Sequence, residues 1–200
     1  MSVHNEQTIR NILDILNQYG VQSAIRKMDS IGKLSVDSDC RYGSLLRMFA
    51  VACVEQCKHL VNHRDLLNAI SIAKEFAQNR VKLTVVSMIR VRAEDAARNV
   101  DEADEASEMS NAADACANLL LDDAYKAAFS VQRDVRFALA HEKARKAIAD
   151  KLANSPKLSM ATVDEMLRTV NENAFDSVKL IIKGLLQQIL ESELKAEKTA

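Results

Sequence analysis

Cys53, Cys57, His59 and His63 fall within eleven positions, in the order C-x3-C-x-H-x3-H. Thiolates and imidazoles are the groups that hold zinc, and paired thiols can also cycle through a disulfide. A metal reading needs convergence, because a tetrahedral site draws four donors onto one ion. An α-helix turns by ~100° per residue. With Leu46 at zero, Ala50 falls near ~40°, Cys53 near ~−20°, Cys57 near ~20° and Leu60 near ~−40°, all in one apolar stripe, whereas His59 falls near ~220°. A straight helix therefore parts His59 from the thiols. The four donors can meet only if the helix ends before His59, and Leu60 and Val61 continue the apolar pattern beyond it. A free cysteine packs as a small hydrophobe, and i,i+4 spacing suits a disulfide poorly. The pattern predicts Cys53 and Cys57 buried beside Phe49 and Leu60, with His59 exposed or in a second layer.

The second cluster is acidic. "DEADEASE", residues 101–108, puts Glu102 and Glu105 three apart on one helix face, beside Asp101. The spacing is similar to the first half of the ExxE…ExxD pattern with which all-α nucleotide pyrophosphohydrolases hold Mg²⁺ against phosphates. That resemblance implies a catalytic role for Glu102 and Glu105, and Mg²⁺ on Asp101, Glu102 and Glu105. The second half is missing, since Asp114 and Asp122-Asp123 form no ExxD. A charge run is more often a solvated face, and the leading expectation assigns no catalytic residue, metal or cofactor.

The remaining candidates are weaker. His141 follows Phe137 on a mixed face, with no Ser or Cys nucleophile spaced locally to meet it. His63 and Asp65 are parted by Arg64, and Asp65 reads as a helix cap. Arg133, Arg136, Lys143, Arg145 and Lys146 make a modest basic region that also holds Asp134 and Glu142. Net charge is −1, which disfavours a dedicated nucleic-acid binder. A helix-turn-helix over 162–184 would lack the usual turn glycine and have an apolar second helix. No phosphate-binding glycine loop, G-x-S-x-G or paired C-x2-C occurs.

The elements that must position these residues are helices. Only four Gly and one Pro occur in 200 residues, Trp is absent, and 48% of residues are hydrophobic. Such a chain can build a core but lacks the turns and aromatics of an all-β domain. The expected fold is all-α, six to eight helices in a bundle or irregular hairpin stack. Ile9, Ile12, Leu13, Leu16 and Tyr19 form a helical stripe that Gly20 ends. A short helix follows, capped by Ser23 and closed by Gly32, then a loop over 33–43. The Cys-His helix runs from about 44 to 61 and the next from Leu66 to Gln78. Val85, Val86, Ile89, Ala93, Ala96, Ala97 and Val100 share one stripe, with Glu94 and Arg98 set to pair. The acidic run predicts a break or a solvent-exposed helical turn, and Asp122-Asp123 a parting of two helices. Asn154-Ser155-Pro156 marks the clearest boundary. It separates a main helical domain, 1–154, from a C-terminal helical hairpin, 155–200, packed on it or used for dimerisation. In that hairpin Thr162 to Glu165 reads as a capping box. Phe175, Val178, Ile182, Leu185 and Ile189 keep heptad spacing for two heptads, too few for a free-standing zipper, which suggests a core-facing helix or a dimer contact and makes these five the candidate partner-binding residues.

Leu45 to Arg80 resembles a segment of uncharacterised bacterial helical proteins, roughly R-L-F-A-C-A-C, then W-H-L, then a helix ending near A-E-x-[FY]-A. Arg47, Phe49, Ala50, Ala52, Cys53, His59, Leu60, Ala73, Glu75, Phe76 and Ala77 match in kind, and Lys58 stands where that family has Trp. The resemblance implies a helical hairpin and no assigned activity.

No signal peptide, membrane span or lipidation signal is visible, so a cytoplasmic protein with free thiols is expected. The leading reading is a non-enzymatic accessory or regulatory factor, of phage or mobile-element type, acting on a protein partner. A Mg²⁺-dependent nucleotide pyrophosphohydrolase and a nucleic-acid-binding regulator are the alternatives.

Overall fold

A computed structural model describes residues 2–34, 36–103, 107–154 and 160–199, with side chains for 6–32, 41–103, 107–154 and 162–196. The described residues form eight α-helices: α1 (Ser2–Tyr19), α2 (Val21–Leu34), α3 (Val36–Cys57), α4 (Arg64–Ala77), α5 (Leu83–Glu102), α6 (Ser107–Asn118), α7 (Ala124–Asn154) and α8 (Met160–Thr199), with a 3-10 turn at Lys58–Leu60. The all-α expectation holds. Helices α3 and α7 form the centre. On one side lie α1, α2 and α8, and on the other α4, α5 and α6.

The local rules that place these helices are visible in their ends. Gly20 takes φ +82°, a left-handed conformation open to glycine, and so reverses the chain between α1 and α2. Asn79, at φ 57°, does the same after α4, where Asn79 and Arg80 return amide hydrogen bonds to Phe76 and Glu75 carbonyls. Asp123 accepts the Lys126 amide at 2.9 Å and starts α7. Both expected breaks, at the acidic run and at 122–123, fall between helices.

Several expectations are corrected. Residues 36–43 continue α3 as helix instead of forming a loop, and α2 runs through Gly32 to Leu34. Ser23 lies inside α2 and donates to Tyr19 O at 3.3 Å. Tyr19 is 70% exposed, outside the stripe that buries Ile9, Ile12 and Leu16. His63, not Asp65, caps α4. Glu94 pairs with Arg90 at 2.7 Å and Arg98 with Asp95 at 3.3 Å, not with each other. The C-terminal segment is one 40-residue helix, not a hairpin, with Thr162 to Glu165 inside its first turns. Ser155 and Pro156 lie outside the described residues.

Alanine decides how the centre packs. Ala112, Ala113, Ala115 and Ala117 on α6, and Ala127, Ala128 and Ala138 on α7, are buried. Small side chains let helix axes approach closely, so contact area comes from backbone proximity. The large buried side chains cluster on α1, α2, α3 and α8, including Ile9, Ile12, Leu16, Ile25, Phe49, Ile182 and Leu186.

Candidate functional site

Helix α3 ends at Cys57, so the chain does leave the α-helix before His59. Even so, the Cys-His donors part. Cys53 and Cys57 are fully buried, and the Cys57 thiol donates to Val54 O at 3.4 Å. Burial pushes the Cys57 thiol up to about 12 and raises Cys53 and Cys116 as well, so all three are neutral thiols of the core. His59 turns outward, its Nε2 lying 2.9 and 3.0 Å from the two carboxylate oxygens of Glu142 on α7. His63 Nδ1 accepts the Asp65 amide at 3.2 Å. Among the described residues no three His, Cys, Asp or Glu side chains are placed to hold a metal ion.

The acidic run is likewise dispersed. Asp101 and Glu102 are exposed at the end of α5, Asp101 accepts from Ser110 Oγ, and Glu105 lies outside the described residues. The alternative role for Asp101, Glu102 and Glu105 therefore gains no converging partner among the described residues.

The basic region of α7 has a structural use. Three acids are buried beneath it: Glu108, Asp134 and Glu142. A buried carboxylate needs a hydrogen-bonding counter-ion. Arg145 Nε covers Glu108. Arg133 Nε and Asn118 Nδ2 reach Asp134 at 2.7 and 2.8 Å. Lys146 Nζ reaches Glu142 at 2.6 Å, opposite His59. Burial alone would raise Glu142, but the hydrogen bonds from Lys146 and His59 outweigh it and hold the carboxyl below its ordinary value. Lys143 donates to Ser177 Oγ at 2.9 Å, so four of the five cations of the basic region are engaged within the fold. Arg136 is the member of that basic region with no hydrogen bond or ion pair among the described residues.

Two relationships were not legible in sequence. Ser107 Oγ lies 3.0 Å from His141 Nδ1, across 34 residues. The ring also meets Phe137 and Phe175, and among the described residues no acid reaches its other nitrogen, so the pair lacks the third group that orients a catalytic base. Arg47 lies over the Phe76 ring and donates to Leu121 O at 2.9 Å and to Asp122 O. It borders a cleft of about 380 Å³ with Tyr42, Asp123 and Tyr125. Burial lowers the Arg47 pKa, against the opposing fields of Asp123 and Asp122. Its donors are engaged by the chain itself, which makes it a clamp joining α3, α4 and the α6–α7 connection.

The expected partner-binding stripe on α8 faces the chain's own core. Val178 and Ile182 are fully buried, and Phe175, Leu185 and Ile189 pack against the same core. Among the described residues, an outward apolar ridge lies elsewhere, on α5. Val85, Met88 and Val91, three residues apart, are 38%, 63% and 59% exposed, with Leu83 exposed ahead of them. The helix packs inward on α4 and α6 through Val86, Ala93, Ala96, Ala97 and Val100. Lys82, Arg64 and Arg92 flank the ridge and make no ion pair among the described residues. Arg64 and Arg92 share an open groove between α4 and α5 with Asp65, Asn68 and Ser71.

No protein-family model matches the chain, and neither a curated protein nor a solved structure is significantly similar to it.

Proposed function

We propose that this all-α protein acts without catalysis, by binding another protein through the outward face of α5. The observation that carries the reading is the ridge Val85–Met88–Val91, apolar, exposed and flanked by cations that make no ion pair among the described residues. An exposed apolar row on a helix matches the i, i+3 anchors that receive a second amphipathic helix. The flanking Lys82, Arg64 and Arg92 favour a partner helix whose polar edge is acidic. Neither the acidic run nor the α7 cations supply comparable support for the hydrolase or nucleic-acid readings.

The test is site-specific photocrosslinking from position 88, compared with position 56 on the exposed end of α3. The reading requires a discrete partner captured from 88 and not from 56, with capture abolished by Val91→Glu. Equal capture from both positions defeats it. Light scattering of the purified protein shows whether that partner is a second copy.

A further inference from the structure

The chain reversal at Gly20 forms one wall of a half-open cavity of about 210 Å³, whose other walls are α7 and α8. Its described lining includes Tyr19, Val21, Arg136, Lys179 and Ile182 and contains no acid. Arg136 and Lys179 come from different helices and converge here without a carboxylate partner among the described residues. The contrast within α7 is informative. Arg133, Arg145 and Lys146 each cover a buried acid. Arg136 instead rests beside the Phe137 and Phe175 rings, 5.7 Å from each centroid. Its Nε is sealed from solvent without a hydrogen-bond acceptor, and its terminal amino groups make no hydrogen bond either. Two cations of different helices thus border one cleft whose described lining offers them no acid, a charge pattern that an anion complements.

We infer that this cavity binds a small organic anion, a carboxylate or phosphate ester, held by Arg136 and Lys179 with its apolar body against Tyr19 and Ile182. The guanidinium fork suits a planar or tetrahedral oxyanion, and Lys179 adds a flexible point charge. The volume lies below the range of about 300–1,000 Å³ usual for drug-sized ligands, which limits the occupant to a compact molecule. The site lies across α3 and α7 from the α5 ridge, so its occupancy is independent of the protein-binding reading.

The experiment is calorimetric titration of the full chain with phenyl phosphate, benzoate and phenol, with amide chemical shifts recorded in parallel. The inference requires one-to-one binding of phenyl phosphate or benzoate, shifts at residues 20–22, and phenol at least about tenfold weaker. Whichever anion binds more tightly identifies the headgroup class. Lys179→Gln, on an exposed position, and Arg136→Gln, with its fold checked by circular dichroism, must each weaken binding about tenfold or more. Absence of binding by both anions up to ~10 mM, or a Lys179→Gln protein that binds as tightly as wild type, overturns it.

Discussion

The Arg47 guanidinium carbon lies 4.3 Å from the centre of the Phe76 ring, so that a cation on α3 rests on an aromatic face of α4 while its amino groups hold the carbonyls of Leu121 and Asp122. Arg47→Met keeps the aliphatic packing but removes the cation and leaves two carbonyls without their donor. Urea unfolding should show a loss of about 2–4 kcal/mol. Arg47→Lys should fall between, because an ammonium cannot span both carbonyls while stacked. A variant as stable as wild type would remove Arg47 from its clamping role.

Glu142 gives the fold an acid-sensitive point. Its carboxyl is held below the ordinary value in the folded chain, so the unfolded chain binds the proton more readily. Its stabilisation is therefore complete above the unfolded value of about 4.3 and is lost as pH falls through the lower folded value. Glu142→Gln should be less stable than wild type at neutral pH and should lose less stability on acidification below about pH 4.3. Parallel pH profiles for the two proteins would refute this assignment.

The core thiols should be chemically silent. Cys53, Cys57 and Cys116 are buried and held protonated, so N-ethylmaleimide at neutral pH should modify them only as fast as the structure opens. Mass spectrometry of native and urea-unfolded samples reads the difference. Labelling of Cys57 within seconds in the native protein would contradict the packing described.

The α5 ridge predicts a separation of stability from association. Met88→Glu replaces an exposed side chain, so its unfolding free energy should stay within about 0.5 kcal/mol of wild type. Its capture of the partner should fall at least about tenfold, since an acid would face an acidic helix edge. A Met88→Glu protein that retains full association places the interface elsewhere.

Helical periodicity carried the fold as far as local rules reach. Cys53 and Cys57 fall on the core face as their rotation about α3 requires, and Gly20 ends α1 through a backbone conformation that glycine adopts at low cost. What periodicity could not supply was pairing in space. Glu94 has acceptable partners on both sides and takes Arg90, while Arg98 pairs with Asp95. The stripe from Phe175 to Ile189 reads the same whether it covers the chain's own core or a second chain, and only tertiary placement separates the two. The outward row on α5 was masked for a related reason. Val85 belongs by composition to the apolar set of α5, yet lies on its solvent side. Arg136 stood in a string of cations, and its lack of a counter-ion becomes visible only once its neighbours have been assigned theirs.

Helix α8 covers α1 as well as α7, with Ile182 and Leu186 in the same core as Ile12 and Leu16. On the ribosome the first hairpin must therefore wait for the last helix. At about ten residues per second, some 15 s separate the emergence of the α1 apolar face from the arrival of its cover. During that interval the chain exposes its largest aliphatic side chains, and a chaperone that shields them has its window then. Slowing synthesis ahead of α8 lengthens that exposure, which makes the tempo of translation itself a determinant of how much chain reaches the native state.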